Sequence, residues 1–228
     1  MADHCSTKSQ YFNICEFIGS MFLVIAAVAP IILFNNILAA PIWIAVVADA
    51  LAVGFVLFAL IEIFGPICTA YFNPAVSISL AINKNISWAA AIKYSIIQIL
   101  GGIAGLTATH LMFYDKIQTL FILSDIERSG GAYLGEVLGT FILVLCIFSL
   151  IHQKSNRISL VVGLLVGGML LSTSSTMFAN PQVSIVRVFT YSVAGIRPID
   201  AIVFIAMELI GATLAAIIWR NVIKKCIA

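Results

Sequence analysis

Charged side chains are scarce in this sequence. They make up only 10% of its 228 residues, whereas 62% of the residues are hydrophobic. A water-soluble domain of this length carries about a quarter of its residues as charges, which keep its surface solvated. The scarcity of charge therefore excludes an ordinary soluble domain. Membrane-spanning helices, each about 20 mostly apolar residues long, explain the excess of apolar residues.

The chain also lacks a strong excess of either charge and any cluster of metal-binding or catalytic side chains. Its formal net charge of +2 is too small to indicate a nucleic-acid partner. The cysteines show no CxxC spacing and the histidines lie far apart, so we expect no metal site, no cofactor and no enzyme activity. These scattered residues are Cys5, Cys15, Cys68, Cys146, Cys226, His4, His110 and His152.

Apolar runs long enough to cross a bilayer occur six times, which predicts an all-α membrane protein with six transmembrane helices. The runs cover roughly 12–34, 42–64, 88–113, 131–151, 158–178 and 199–222. Only Lys8 stands as a basic residue before the first run, and no A-x-A cleavage site follows it. We therefore expect the first run to be a retained span and not a signal peptide.

Two shorter apolar segments do not fit this scheme, and each begins with Asn-Pro. They start at Asn73 and Asn180 and end near Ile82 and Tyr191. Asn is a favoured N-cap and Pro is favoured at the first helical position, so each segment predicts a half-helix that begins at its Asn. Irregular backbone at membrane depth is tolerated only where it is buried in protein or lines an aqueous cavity. Two re-entrant half-helices therefore predict a pore or a binding site.

An internal repeat relates the two halves of the chain. Asn-Pro-Ala-Val-Ser-Ile at 73–78 recurs as Asn-Pro-Gln-Val-Ser-Ile at 180–185, and segments 16–24 and 98–102 recur at 136–144 and 208–212. Each half holds three spans, an odd number, so the second half is inverted in the membrane. We predict one channel domain over residues 1–228, built from repeat one (about 11–114) and repeat two (about 131–222). The two half-helices then enter from opposite faces and meet near the midplane.

Basic residues predict the orientation of the chain in the membrane. With the N-terminus inside, eight of them lie on or near the cytoplasmic side and four lie outside, as the positive-inside rule requires. The cytoplasmic set is Lys8, Lys84, Lys93, Lys154, Arg157, Arg220, Lys224 and Lys225, and the outer set is Lys116, Arg128, Arg187 and Arg197. Both termini are therefore predicted to be cytoplasmic.

The junction of the two half-helices has a defined electrostatic character. Each helix start carries about half a positive charge and free N–H groups that point at the junction. A cation or proton at that point is repelled by both dipoles, whereas a neutral hydrogen-bonding molecule is not. The side-chain amides of Asn73 and Asn180 can donate to a passing oxygen. This pattern favours a channel for small uncharged solutes.

These features closely resemble the aquaporin, or major intrinsic protein, family. The resemblance runs from about Tyr11 to Arg220 and rests on paired Asn-Pro-Ala-type motifs on inverted repeats, each of which opens with a membrane-embedded glutamate. These residues are Asn73, Pro74, Ala75, Asn180, Pro181, Gln182, Glu16 and Glu136. The resemblance implies that the two glutamates hydrogen-bond the backbone of the re-entrant loops. It also implies close helix crossing at Gly101, Gly102 and Gly211, and a homotetramer with one pore per subunit.

The sequence departs from the family pattern where the pore is narrowest. The second motif ends in Gln182 where the family has Ala, and Val183 stands where the family's filter Arg is expected. Arg187 lies four residues further along the same helical face, one turn closer to the outside, at the pore mouth.

Counting back from the motifs gives the other constriction positions. Val53 lies 20 residues before Asn73, and Gly168 and Met177 lie 12 and three residues before Asn180. The predicted constriction of Val53, Gly168, Met177 and Val183 has no aromatic, histidine or charged side chain. We expect it to be wider and more apolar than that of a water-selective pore.

A constriction of this kind favours glycerol-like solutes together with water. The Ser/Thr-rich segment 172–176 followed by Asn-Pro-x-Val-Ser-Ile-x-Arg also resembles a bacterial arsenic-resistance subgroup of the family. That resemblance implies conduction of neutral metalloid hydroxides such as arsenous acid across a bacterial inner membrane. Three alternatives stay open: a water-selective pore, a secondary transporter, which also has inverted repeats and broken helices, and a non-conducting structural tetramer closed by Gln182 or Met177.

Overall fold

The computed structural model describes residues 2–68 and 70–226, with side chains from residue 11 onward. The side chains of His4, Cys5 and Lys8 lie outside this description. The described residues form helices and no strands. The helices are α1 (Ala2–Ile31, continued by a π-helical turn Ile32–Ile37), α2 (Ile42–Cys68), α3 (Pro74–Ile82), α4 (Trp88–Met112), α5 (Gly131–His152), α6 (Ile158–Ser172), α7 (Pro181–Val186, continued by a 3₁₀ turn Arg187–Phe189) and α8 (Pro198–Ile218, continued by a π-helical turn Trp219–Ile223 and Lys224–Cys226).

Five of these helices (α1, α2, α4, α5 and α8) are long and apolar enough to cross a bilayer. The sixth, α6, has 15 residues, which cover about 22 Å, and it ends well before the predicted boundary at 178. Beyond its end, hydroxyl groups take the place of helical acceptors: the backbone N–H of Met177 donates to Thr173 Oγ1 at 2.9 Å and to Ser175 Oγ at 3.1 Å. Such side chains offer the backbone an alternative to helical hydrogen bonds. The rest of the predicted span belongs to the segment that leads into α7.

The two halves of the chain pack in the same way. In the first half α1 packs against α4, and in the second half α5 packs against α8, while α2 and α6 join the halves to each other. The close contacts of α1 with α4 and of α5 with α8 depend on glycines at equivalent positions of the two repeats. A Cβ added to Gly101 would lie 2.3 Å from the carbonyl oxygen of Phe17, and one added to Gly211 would lie 2.4 Å from that of Val137. Both crossings therefore bring the helix backbones closer together than any side chain would permit.

The outer surface of the helix bundle is strongly apolar. Large hydrophobic side chains such as Trp43, Phe55 and Leu164 are each more than 60% exposed. Polar side chains are instead buried around the two half-helices, where Ser77 and Ser184 are completely inaccessible. This inside-out distribution suits a helix bundle whose surroundings are lipid.

Candidate functional site: the junction of the half-helices

The two half-helices begin in the same way, as the Asn-Pro pattern predicts. Asn73 and Asn180 have extended backbone, with φ of −154° and −156°, and the following prolines are the first helical residues. Asn73 Oδ1 accepts from the N–H of Ala75 at 2.8 Å, and Asn180 Oδ1 accepts from that of Gln182 at 3.2 Å. Each Asn therefore caps its own half-helix.

The same two side chains join the half-helices to each other. Asn73 Nδ2 donates to the carbonyl oxygen of Ala179 at 2.7 Å, and Asn180 Nδ2 donates to that of Phe72 at 3.0 Å. Ala179 and Phe72 are the residues immediately before the opposite motifs. The helix starts therefore abut inside the protein, and this exchange of hydrogen bonds ties them together.

The segments that lead into the half-helices have an unusual backbone at matching positions. Ala70 and Phe72 have φ of 50° and 48°, and their repeat partners Met177 and Ala179 have φ of 36° and 46°. Left-handed conformations cost residues with a Cβ about 1–2 kcal/mol each, so other contacts must hold them. Both pairs lie in the re-entrant segments, next to the junction.

Two buried glutamates supply those contacts. The Glu16 carboxylate accepts from the N–H groups of Tyr71 at 2.8 Å and Phe72 at 2.9 Å. In the second half the Glu136 carboxylate accepts from those of Phe178 at 2.9 Å and Ala179 at 2.6 Å. Charge-assisted hydrogen bonds of this kind are roughly twice as strong as neutral ones. Each glutamate thereby fixes the left-handed residue that precedes its motif.

A second pair of buried residues supports the glutamates, and here the two halves differ. Gln98 Nε2 donates to Glu16 at 2.8 Å and to Ser77 Oγ at 3.2 Å. Glu208 stands at the equivalent place, accepts from Ser184 Oγ at 2.7 Å and lies within hydrogen-bond reach of Glu136. The echo between 98–102 and 208–212 paired these positions, but their role as supports became clear only from the structure.

A cavity of about 130 Å³ runs past the junction. At about 10–15 Å³ for each water, this is room for roughly ten water molecules. Asn73 and Asn180 line it together with three of the predicted constriction residues, Val53, Met177 and Val183. The remaining lining is almost entirely aliphatic or aromatic, so polar groups are concentrated at the junction and at the end where Arg187 lies. We call this the outer end, after the orientation predicted from the sequence.

Gly168 does not belong to this lining, and the prediction that placed it there is wrong. It lies on the exposed face of α6, and a Cβ added to it would have no neighbour within 4 Å. The α6 residues that line the cavity are Val162, Val166 and Leu170, spaced four apart on one helical face. Gly168 lies two positions from Val166 and from Leu170, which places it on the opposite face of α6. Counting from Asn180 failed because the irregular segment 173–179 does not advance as a helix does.

Gln182 does not face the cavity either. Its side chain is fully buried, and its Cδ lies 3.7 Å from a Cβ built on Gly102, so it packs toward α4. Neither amide atom of Gln182 has a hydrogen-bond partner among the described residues. The larger residue therefore adds no group to the junction, and it does not close the path.

Arg187 lies at the outer end of the cavity and is almost completely buried. One guanidinium nitrogen, Nη2, donates to the carbonyl oxygen of Ala27 and lies 3.4 Å from Asp49 Oδ2. The guanidinium also lies over the ring of Phe178, at 4.3 Å from its centroid. Asp49 has no counterpart in the repeat, so nothing in the sequence pattern marked it as a partner for this arginine.

A second arginine, Arg128, approaches the same ring from the outer loop. Its guanidinium lies 5.4 Å from the Phe178 centroid and donates to the carbonyl oxygens of Val193 and Gly195. Burial, and then repulsion by Arg187, lower the pKa of Arg128 to about 10. It therefore stays charged at neutral pH and adds to the positive field at this end of the cavity.

An all-helical bundle in which two capped half-helices from an internal repeat meet at a narrow cavity is a membrane channel of the aquaporin type. The profile of the major intrinsic protein family matches residues 4–219. The chain belongs to this family, whose members are multi-pass membrane channels and not enzymes.

Similar proteins agree with this assignment. The chain is 35% identical over 207 residues to the aquaglyceroporin AqpS of Rhizobium meliloti, covering 91% of this chain and 88% of that one. It is 29% identical over 177 residues to the glycerol uptake facilitator protein of Streptococcus pneumoniae, covering 71% and 74%. Its fold matches the crystal structure of the aquaglyceroporin from Plasmodium falciparum with a TM-score of 0.77 at 20% identity, covering 95% and 98% of the two chains.

Proposed function

We propose that this protein is a passive channel for glycerol-sized neutral solutes and water, and that it also conducts neutral metalloid hydroxides such as arsenous acid. The observation that carries the proposal is the composition of the cavity. The amides of Asn73 and Asn180 are donors at the junction, and apart from Arg187 at the outer end the lining side chains are uncharged, among them Val53, Met177 and Val183. Glycerol and arsenous acid both have three hydroxyl groups and no charge at neutral pH, so they match this cavity chemically.

The uncharged constriction supports larger solutes over water alone. A water-selective pore is narrow and presents fixed donors, whereas Val183 and Leu170 offer neither a donor nor a charge. The names of the relatives point the same way, since AqpS is described as an aquaglyceroporin and the Streptococcus protein as a glycerol uptake facilitator.

The buried charges also favour a passive channel over a coupled transporter. Glu16 and Glu136 are committed to backbone N–H groups of the re-entrant segments, and Asp49 is paired with Arg187. None of these three carboxylates lines the described cavity. A transporter driven by ions needs charged groups aimed into the path.

The proposal extends to assembly and placement. By analogy with its family we expect a homotetramer with one pore per subunit, in a bacterial inner membrane, with both termini cytoplasmic. The chain would act as one domain of two repeats, about 11–114 and 131–222, surrounded by lipid. Cross-linking in native membranes and labelling of single cysteines at each end would test these points.

Stopped-flow swelling of proteoliposomes tests the function. We expect water, urea, glycerol and arsenous acid to enter faster than into empty vesicles, in proportion to their concentration and without change when an uncoupler is added. Asn180→Leu, which removes one junction amide, is the loss-of-function control. Entry of water alone would establish a water-selective pore, entry of nothing would establish a structural protein, and saturable, uncoupler-sensitive uptake would establish a transporter.

A further inference from the structure

The outer end of the cavity contains a buried ion pair that the proposed function does not require. Arg187 and Asp49 have side chains that are 3% and 4% exposed, and they belong to different elements, the turn after α7 and the body of α2. Burying two charges costs several kcal/mol for each ion unless good geometry offsets the loss of water. Because its burial is costly, we expect this ion pair beside the cavity to have a specific role.

The geometry of the pair shows what it does to the arginine. Three contacts from three elements, namely Ala27 on α1, Asp49 on α2 and the ring of Phe178, hold the guanidinium against one wall of the cavity. Asp49 is the only one of the three that also offsets its charge. The other arginine nearby, Arg128, approaches the same ring and repels Arg187, so the ring and the carbonyl alone leave a positive charge free to move.

The pair is also incomplete. It is made by one nitrogen and one oxygen at 3.4 Å, and within the described chain Arg187 Nε and Asp49 Oδ1 have no hydrogen-bond partner. A rigid structural bridge between arginine and a carboxylate is usually bidentate. A single-contact pair positions a side chain without locking it, so removal of the carboxylate releases the arginine.

We infer that Asp49 is a positioning residue for solute selectivity: it holds Arg187 against the wall and offsets its charge, and so keeps the outer mouth open to bulky neutral solutes. Without the carboxylate, the long arginine side chain turns into the cavity, where Arg187 already forms part of the lining one helical turn outside Val183. Passage of glycerol is then restricted more than passage of water. This inference rests on the proposed function, because it concerns which solutes pass.

A double-mutant cycle in proteoliposomes tests the inference. The variants are Asp49→Asn, which keeps the size of the side chain and removes its charge, Arg187→Met, which keeps length and removes the guanidinium, and the two together. We expect Asp49→Asn to lower the ratio of glycerol to water entry by at least about twofold, the lower limit for contacting residues. The double variant should show the same ratio as Arg187→Met, because the effect of Asp49→Asn requires the guanidinium that both of these variants lack. Asp49→Glu, which keeps the carboxylate, should retain most of the parent ratio.

The outcome separates selectivity from simple misfolding. If the double variant were as defective as Asp49→Asn, the defect would not depend on Arg187 and the inference would be wrong. An unchanged ratio in Asp49→Asn would also overturn it. If the parent admitted no solute, the proposed function would fail, and thermal unfolding of the same four proteins in detergent would still show whether Asp49 and Arg187 are coupled. Additive losses of stability in that cycle would refute the positioning role independently of conduction.

Discussion

Replacing Val183 by Arg tests the assignment of the constriction. Val183 lines the cavity and is 5% exposed, and Arg187 lies one helical turn further out on the same element. An arginine at 183 would extend into the apolar section and restore a fixed donor at the position where the family expects one. We expect the variant to pass water and to exclude glycerol.

The magnitude follows from the charges. Four residues along a helix correspond to about 6 Å, so two guanidinium groups at this spacing repel by about 3 kcal/mol at an effective dielectric constant of 20. Asp49 carries a single negative charge and already faces Arg187, so a second arginine would leave one guanidinium charge without compensation. The new side chain therefore points away from Arg187 and across the path. A barrier only 1.4 kcal/mol higher for glycerol would slow its entry about tenfold.

Stopped-flow swelling with glycerol and with water, on the same vesicle preparations, gives the two rates. Val183→Met is the matched control, because it adds length without charge or hydrogen-bond donors. We expect Val183→Arg to lose at least about tenfold in the ratio of glycerol to water entry, and Val183→Met to lose much less. If Val183→Arg admitted glycerol as readily as the parent, Val183 would not be part of the constriction.

Three further predictions concern the walls of the channel and its supports. In the same swelling assay, Leu170→Phe should lower glycerol entry more than water entry, because Leu170 lines the cavity. Gly168→Phe, on the exposed face of α6, should leave both rates unchanged. The opposite ranking would show that Gly168 belongs to the constriction. Gly101→Ala should lower the free energy of unfolding in detergent by about 1–3 kcal/mol, because its Cβ would lie 2.3 Å from a backbone oxygen. Gly168→Ala, whose Cβ would have no neighbour within 4 Å, should leave the free energy of unfolding unchanged. Equal effects of the two variants would contradict the close crossing of α1 and α4. Glu208→Gln should retain the melting temperature, because the new side chain offers Glu136 the N–H that Gln98 gives Glu16. Glu208→Leu should lower the free energy of unfolding by about 1–3 kcal/mol. A loss in the Gln variant as large as that in the Leu variant would show that the two supports are not equivalent.

The features of the fold that depend on repetition were predictable from the sequence. The Asn-Pro pair, the apolar runs and the three echoes predicted an all-helical membrane protein with two half-helices, and the fold and family are confirmed. The prediction succeeded because lipid restricts spanning segments to helices of a certain length, and because the Asn of each Asn-Pro motif is itself the N-cap of the half-helix that follows.

The features that depend on irregular backbone were not predictable. Gly168 was placed by counting through 173–179, a segment whose left-handed residues Thr176, Met177 and Ala179 change its direction. Gln182 was expected to matter at the junction, yet its side chain turns toward α4. Asp49 has no repeat partner, and only the folded structure shows that it faces Arg187. The local pattern of a single sequence does not indicate which residues of distant elements are in contact.

We expect the abutting half-helices to admit uncharged molecules and to exclude protons. The most direct measurement loads the same proteoliposomes with a pH-sensitive dye and records glycerol entry by light scattering and proton entry after an acid step. We expect glycerol entry well above that of empty vesicles and proton entry indistinguishable from that of empty vesicles. Proton entry that rises together with glycerol entry, and that falls in Asn180→Leu, would show that the junction does not exclude protons.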